Sequence, residues 1–327
     1  MSAVIALEQL SKRFGKVEAV EDLSLEVPEG CVFGCLGRNG SGKTTTIRMM
    51  LGLLPPDSGH CAVLGLDSRK KGVAIRRRVG YVPETHHIYR WMTVGEVAWF
   101  CSSFYPTWSK AECSRLLKDF ELDPGAKVRN LSKGALAKLA LTLALAHDPE
   151  ILILDEPTGG LDVIVRKEFL ESIVKLIEQR GKTVFISSHL LDDVERVADR
   201  IAVIDKGRLK VAGEVDELKK RITNLRIIFK SVPSQAPPKS LPSVAPEDIL
   251  KSELSGREWN LTISNFSEEI LARIKSAFPD AQVETHRPTL EEMFIALVGP
   301  REGSGFGAEG GAPRASQGSV TEESRMQ

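Results

Sequence analysis

The sequence lacks an excess of either charge: 44 Lys and Arg balance 44 Asp and Glu across 327 residues. Nucleic-acid binders usually show a basic excess or stripe, so no nucleic-acid partner is expected. Cysteine is scarce and unpaired. Cys31, Cys35, Cys61, Cys101 and Cys113 are odd in number and lie in no C-x-x-C pair, which reads as reduced thiols packed as small apolar groups and not as a metal site. No apolar run approaches the roughly 18–20 residues needed to span a bilayer. Residues 1–10 read as a strand carrying Glu8, not as a secretory signal. The expected place is therefore the cytoplasm, with any membrane link made through a partner. No internal repeat and no long heptads are present.

What is present is a globular composition, 42% hydrophobic and 27% charged, long enough for one large domain and a smaller companion. Residues 1–28 alternate apolar and polar positions around Gly15, predicting antiparallel strands with a turn there. Short apolar runs at 31–36, 151–154, 183–187 and 201–204 read as strands buried on both faces. Helical patterns lie between them: 45–51, all of 94–147 with breaks at Pro106, Asp123-Pro124-Gly125 and Asp148-Pro149, and 163–179. Strands alternating with helices predict an α/β fold with a largely parallel sheet. Composition shifts after Leu225. Residues 231–247 are rich in Pro and Ser and read as a linker, and 258–299 offer strand, helix, strand and a last helix. We expect a small α+β C-terminal domain over 224–299 and a disordered tail over 300–327, where apolar residues almost vanish.

The strongest local signal is Gly37-Arg38-Asn39-Gly40-Ser41-Gly42-Lys43-Thr44, followed by Thr45. Consecutive backbone N–H groups can turn toward phosphate oxygens only where bulky side chains are absent, and the next helix aims its positive end at the anion. This P-loop predicts ATP binding, with Lys43 on the β- and γ-phosphates and the Thr44 hydroxyl on Mg²⁺. Its setting between an apolar strand and a helix is the one the chemistry requires.

The run 151–154 delivers Asp155 and Glu156 to a strand end, where ligands of open α/β sheets sit. With the P-loop expected on a neighbouring strand, Asp155 takes the position of the Mg²⁺-holding carboxylate and Glu156 that of a general base for an attacking water. His189 follows the strand 183–187 and the hydroxyls of Ser187 and Ser188. On its residues alone it is either structural or a contact for the γ-phosphate.

With these motifs in order, the chain resembles the ATP-binding-cassette (ABC) ATPases from residue 4 to about 220, which implies a P-loop NTPase cassette over 1–223 with a mixed sheet and a helical subdomain at about 85–148. Gly160-Leu161-Asp162 looks like the family's D-loop, and His189 falls at its switch histidine. Phe14 lies where the family stacks an aromatic ring on adenine. Leu131-Ser132-Lys133-Gly134-Ala135 resembles the signature loop, usually LSGGQ, which in the family begins a helix and presents Ser and Gly to the γ-phosphate on the other subunit. The resemblance therefore implies a second ABC ATPase subunit, one complete motif set allowing a homodimer, and an integral membrane permease subunit that would hold the chain on the inner face of the cell membrane. Lys133 and Ala135 depart from the signature, and Glu84 stands where the family has a glutamine that helps ligate Mg²⁺.

Other features are less specific. Arg69-Lys70-Lys71 and Arg76-Arg77-Arg78 read as a solvated face, with anionic headgroups as the alternative. Tyr89, Trp91, Trp99, Phe100, Phe104, Tyr105 and Trp108 are expected mostly in the core of the helical subdomain, or else in the groove that in family transporters receives a membrane-subunit helix. Arg287 to Phe294 looks like the segment that ends many exporter ATPases. Together these features predict an ATP-hydrolysing transporter subunit, with a soluble ABC ATPase or a nucleotide-gated regulator as the alternatives.

Overall fold

The computed structural model describes residues 3–232, 241 and 244–298. The chain begins with β1 (Ala3–Phe14), β2 (Val17–Pro28), β3 (Val32–Leu36), α1 (Lys43–Met50), β4 (Ser58–Val63), β5 (Leu66–Asp67), α2 (Ser68–Arg78) and β6 (Val79–Val82). Three helices follow, α3 (Val94–Ser102), α4 (Lys110–Asp119) and α5 (Lys133–Leu145). The chain then returns through β7 (Ile151–Asp155), α6 (Val163–Arg180), β8 (Thr183–Ser188), α7 (Leu191–Glu195), β9 (Arg200–Asp205), β10 (Arg208–Glu214) and α8 (Val215–Arg221). Last come β11 (Thr223–Ile228), β12 (Ile249–Ser255), β13 (Glu258–Ile263), α9 (Glu268–Ala277), β14 (Gln282–His286) and α10 (Leu290–Val298). Most of the expected linker 231–247 and the whole expected tail 300–327 lie outside the described residues.

The apolar runs form a six-stranded sheet, ordered β10-β9-β3-β8-β7-β6, parallel except for β10. Every residue of β3, β7 and β8 is buried, as expected of parallel strands covered on both faces. One face (Phe33, Ile153, Phe185, Ala202) packs on Ile5 and Leu7 of β1 and Met49 and Met50 of α1. The other (Val32, Leu152, Val184, Ile186) packs on Leu141 of α5 and Phe169 and Ile173 of α6. Each such Ile, Leu or Val contributes about 1.5–3 kcal/mol relative to exposure. The order corrects one expectation: the P-loop strand β3 and the carboxylate strand β7 are not neighbours, because β8 inserts between them.

The N-terminal sheet, β2-β1-β4-β5, is antiparallel and buries alternate residues, as its period-2 pattern predicts. α3, α4 and part of α5 share a separate core including Val94, Val97, Cys113, Leu117 and Leu139. Residues 120–132 are not helical as expected, apart from the short 3-10 turn Val128–Asn130. Asp123 Oδ1 accepts the Gly125 N–H at 2.9 Å, a local bond that competes with helix formation.

Two surface expectations also change. Tyr89, Trp91, Trp99, Phe100 and Phe104 are exposed, with only Tyr105 and Trp108 partly buried, because Val94, Val97 and Ala98 supply the inward face of α3. In the basic run, Arg69 and Arg76 donate to the carbonyls of Pro56 and Leu51 at 2.7 and 2.8 Å, and Arg78 forks onto Glu150. Arg69, Lys70, Lys71 and Arg77 are exposed, while Arg76 and Arg78 are half-buried.

The third sheet, β12-β13-β11-β14, is antiparallel and packs Trp259, Leu261 and Ile227 with Ile274 of α9. α10 turns its buried Leu290, Met293, Ala296 and Val298 to Leu36, Val194, Val203 and Leu218, thus onto the central sheet and its helices.

Candidate nucleotide site

The P-loop connects the buried β3 to α1. Gly42 caps that helix at φ 107°, and a Cβ there would lie 2.4 Å from the Ala19 carbonyl oxygen, so only glycine fits. Having no side chain, it leaves the first N–H groups of α1 for an anion. Gly37, Ser41 and Lys43 are buried, Thr44 and Thr45 half-buried, and Arg38, Asn39 and Gly40 exposed. The Ser41 hydroxyl is 4% exposed yet has no hydrogen-bond partner in the protein, as expected of a group that serves a ligand.

Lys43 Nζ donates across the loop to the carbonyls of Gly37 at 2.7 Å and Arg38 at 3.2 Å. It also lies 3.0 Å from Glu156 Oε1, an ion pair without hydrogen-bond alignment. Both side chains are almost wholly buried, so each charge depends on the other.

Asp155 Oδ1 accepts the hydroxyls of Ser187 at 2.7 Å and Thr44 at 3.2 Å. Burial pushes the carboxyl above its ordinary range, while these two hydroxyls pull it back. Hard oxygen donors from Thr44 and Asp155 meeting beneath the P-loop suit Mg²⁺, which takes one or two protein ligands and fills the remainder with water and phosphate. No group of three or more His, Cys, Asp or Glu that could hold a metal occurs among the described residues.

Glu156 adopts φ 48°, uncommon for a residue with a side chain and typical of strain held at functional sites. Its N–H reaches the Ser187 carbonyl at 3.1 Å and the Ser187 hydroxyl at 3.0 Å. Its Oε2 accepts the His189 N–H at 3.2 Å and lies 2.7 Å from His189 Nδ1. Glu156 therefore spans the space between Lys43 and His189.

The remaining expected site residues do not join this cluster. Ser132 is the N-cap of α5, its Oγ accepting the Ala135 N–H at 3.1 Å. Asp162 accepts the N–H groups of Ile164 and Val165 at 3.1 and 3.0 Å at the start of α6. Gly134 is buried against that helix: a Cβ there would meet Val165 Cγ1 at 2.5 Å. Phe14, expected either to stack or to be buried, is 50% exposed at the end of β1, with Lys12 Nζ 5.8 Å from its ring centroid. Glu84 is exposed just beyond β6. Nearby, burial pushes the Tyr81 phenol up to about 12, with the charges of Asp155 and Glu84 adding to the rise.

Ser187 was missed as a site residue. It stands opposite Asp155 in the β7–β8 register and braces both carboxylate residues. Its signal was the hydroxyl pair before His189, readable only once β8 is known to adjoin β7. Likewise, Thr158 donates to Asp193 Oδ2 at 2.9 Å, a buried tie between the loop after Glu156 and α7 that nothing in the local sequence announces.

Residues 20–159 match the family described as ABC transporter. The bacitracin transport ATP-binding protein BcrA of Bacillus licheniformis is 39% identical over 223 residues, 68% of this chain and 73% of that protein. The Nod factor export ATP-binding protein I of Paraburkholderia xenovorans is 32% identical over 304 residues, 91% of this chain and 97% of its own length. A solved structure described as the ATP binding subunit of an ABC transporter superposes with a TM-score of 0.61 at 29% identity, covering 66% of this chain and 92% of the other. With the P-loop, the two carboxylates and the cassette sheet in place, this chain belongs to the ABC transporter ATP-binding subunits, P-loop proteins that bind and hydrolyse ATP.

Proposed function

We propose that this chain hydrolyses ATP at the cluster of Lys43, Thr44, Asp155, Glu156 and His189, and thereby powers export through a separate integral membrane permease subunit. The observation that carries the site assignment is the buried Glu156 carboxylate, held between Lys43 and His189 beside the P-loop. A polyphosphate gives Lys43 a second anionic partner and loosens its hold on Glu156. The freed carboxylate takes a proton from water as the water oxygen attacks the γ-phosphorus, and the bond to the β-phosphate oxygen breaks. His189 then lies between that carboxylate and the γ-phosphate, oriented by its Nδ1 contact. Mg²⁺ held by the Thr44 hydroxyl and the Asp155 carboxylate would neutralise charge on the β- and γ-phosphates.

Ser132 caps its own helix and Gly134 packs against Val165 of α6, outside the Lys43–Glu156–His189 cluster, which supports their serving the ATP of a second copy in a dimer. Asp162 heads α6 beside them, and Phe14 offers an open ring for adenine. The five exposed aromatics between residues 89 and 104 support docking on the permease, whose helix would cover them. No helix among the described residues is long and apolar enough to cross a membrane, so we assign the bilayer contact to that partner and place the chain on its cytoplasmic face. The export reading is supported by the relative named for export and by the C-terminal segment that ends in α10.

Glu156→Gln tests the assignment. Phosphate release is expected to fall by about 10²–10⁴-fold, while ATP binding persists and gel filtration with ATP shows a dimer. Normal turnover in this variant overturns the assigned base.

A further inference from the structure

α7 is five residues long and begins two residues after His189. A helix this short is unstable alone, since nucleation is costly and little propagation follows. Its place is set by what holds it, and three consecutive side chains reach three different parts of the molecule. Asp193, 6% exposed, takes the Thr158 hydroxyl at 2.9 Å and lies 3.7 Å from Arg166 of α6. Val194, fully buried, packs with Leu36 at the end of β3 and with Leu290 and Met293 of α10. Glu195 pairs one carboxylate oxygen with Lys219 of α8 and accepts the Leu290 N–H on the other at 3.3 Å.

α10 is itself anchored at its first turn. Thr289 and Glu292 bond reciprocally, N–H to side chain, at 3.0 and 3.2 Å. The same Glu292 oxygen accepts Asn224 Nδ2 of β11 at 3.0 Å. Contacts therefore run from the third sheet through α10 to α7 and so to His189, which lies on Glu156. If α10 merely covered apolar surface, Val194 and Met293 would suffice. A half-buried carboxylate aimed at its first N–H adds direction to the contact.

We propose that Glu195 is a positioning residue for ATP hydrolysis: by tying α7 to α10 it sets how His189 meets Glu156, so that the C-terminal sheet and helix tune turnover. This rests on the reading of His189 given above. The test is steady-state ATPase activity of the full chain carrying Glu195→Ala, Glu195→Gln, His189→Ala, or His189→Ala with Glu195→Ala, each matched for folded fraction by circular dichroism. Glu195→Ala is expected to lower kcat about ten- to a hundredfold, the scale of a small misplacement, with the KM for ATP within about twofold. Gln still accepts the Leu290 N–H and is expected to restore most of the rate. In the His189→Ala background, Glu195→Ala should cost nothing more, because a residue acting through another is not additive with it. Lys219→Met, which keeps the Leu290 bond, guards against misfolding of the alanine variant and should leave kcat within about twofold of the wild type. Unchanged kcat in Glu195→Ala, or equal losses with and without His189, overturns the proposal. Normal turnover in His189→Ala alone instead overturns the reading of His189.

Discussion

The P-loop cluster and the signature-like segment of the same cassette are built from opposite materials. Lys43, Asp155 and Glu156 are buried, come from two distant stretches of sequence, and are linked by contacts between 2.7 and 3.2 Å that also take in Thr44, Ser187 and His189. Ser132 and Asp162 are exposed, and among the described residues their side chains bond to backbone within three residues. The first arrangement is complete within the chain and held by its core. The second is a pair of helix starts whose N–H-rich ends face outward, finished as structure and unfinished as a site. The difference supports the proposal that one chain presents a catalytic half and a recognition half, the second serving another copy. In that proposal a twofold dimer would supply each half with its complement.

The largest expected effect breaks the two halves apart. Lys43→Ala removes the phosphate contact, and Ser132→Asp keeps a good helix cap while setting a negative charge toward the partner's phosphate. Either variant alone should lose nearly all turnover. Mixed in equal amounts, half of the dimers pair one with the other and carry one intact site of two, so about a quarter of wild-type phosphate release should return. No recovery on mixing would mean that the signature segment serves its own chain.

A smaller effect separates packing from recognition at Gly134. Its alanine variant would press a methyl into Val165, costing about 1–3 kcal/mol by overpacking and read as a lowered melting temperature. Combining it with Val165→Ala should recover that stability. If it also recovers turnover, Gly134 is required by the α5–α6 contact; if not, by phosphate.

The smallest concerns the seam where the signature helix rejoins the sheet. His147, just beyond α5, is 1% exposed and stacks on Tyr105 with centroids 4.0 Å apart. Burial is the main cause that lowers its pKa, as it does for His86. Because the unfolded chain then binds more protons, the stability these rings contribute is fully present above about pH 6.5 and is lost as pH falls through the lowered folded values. His147→Phe keeps the stacked ring without its proton. Melting curves between neutral and mildly acidic pH should fall less steeply for it than for the wild type, and equal slopes would assign the acid sensitivity elsewhere.

Much of this was legible along the chain because it is local. The runs at 151–154 and 183–187 announced doubly covered strands, and the spacing of Gly37, Gly40, Gly42 and Lys43 announced a phosphate loop between strand and helix. Asp155, Glu156 and His189 stand at or just beyond the ends of such runs, which is why the sequence alone singles them out as candidates. What failed depended on which element lies beside which. β8 separates β3 from β7, and that placement puts Ser187 against both carboxylate residues. The aromatics after Glu84 resembled a core by composition, yet smaller residues of α3 fill its inward face. α10 packs on the central sheet and its helices, across a long stretch of sequence.

By itself, then, the sequence determined most of the elements, the phosphate loop and the strand-end position of the carboxylate pair, because backbone freedom at glycine and apolar periodicity are properties of neighbours in the chain. The tertiary structure alone decided the strand order, the Lys43–Glu156–His189 bridge and the hold of α10 on α7. Those depend on residues more than thirty positions apart meeting within a few ångströms, and only the burial of the central sheet brings them together.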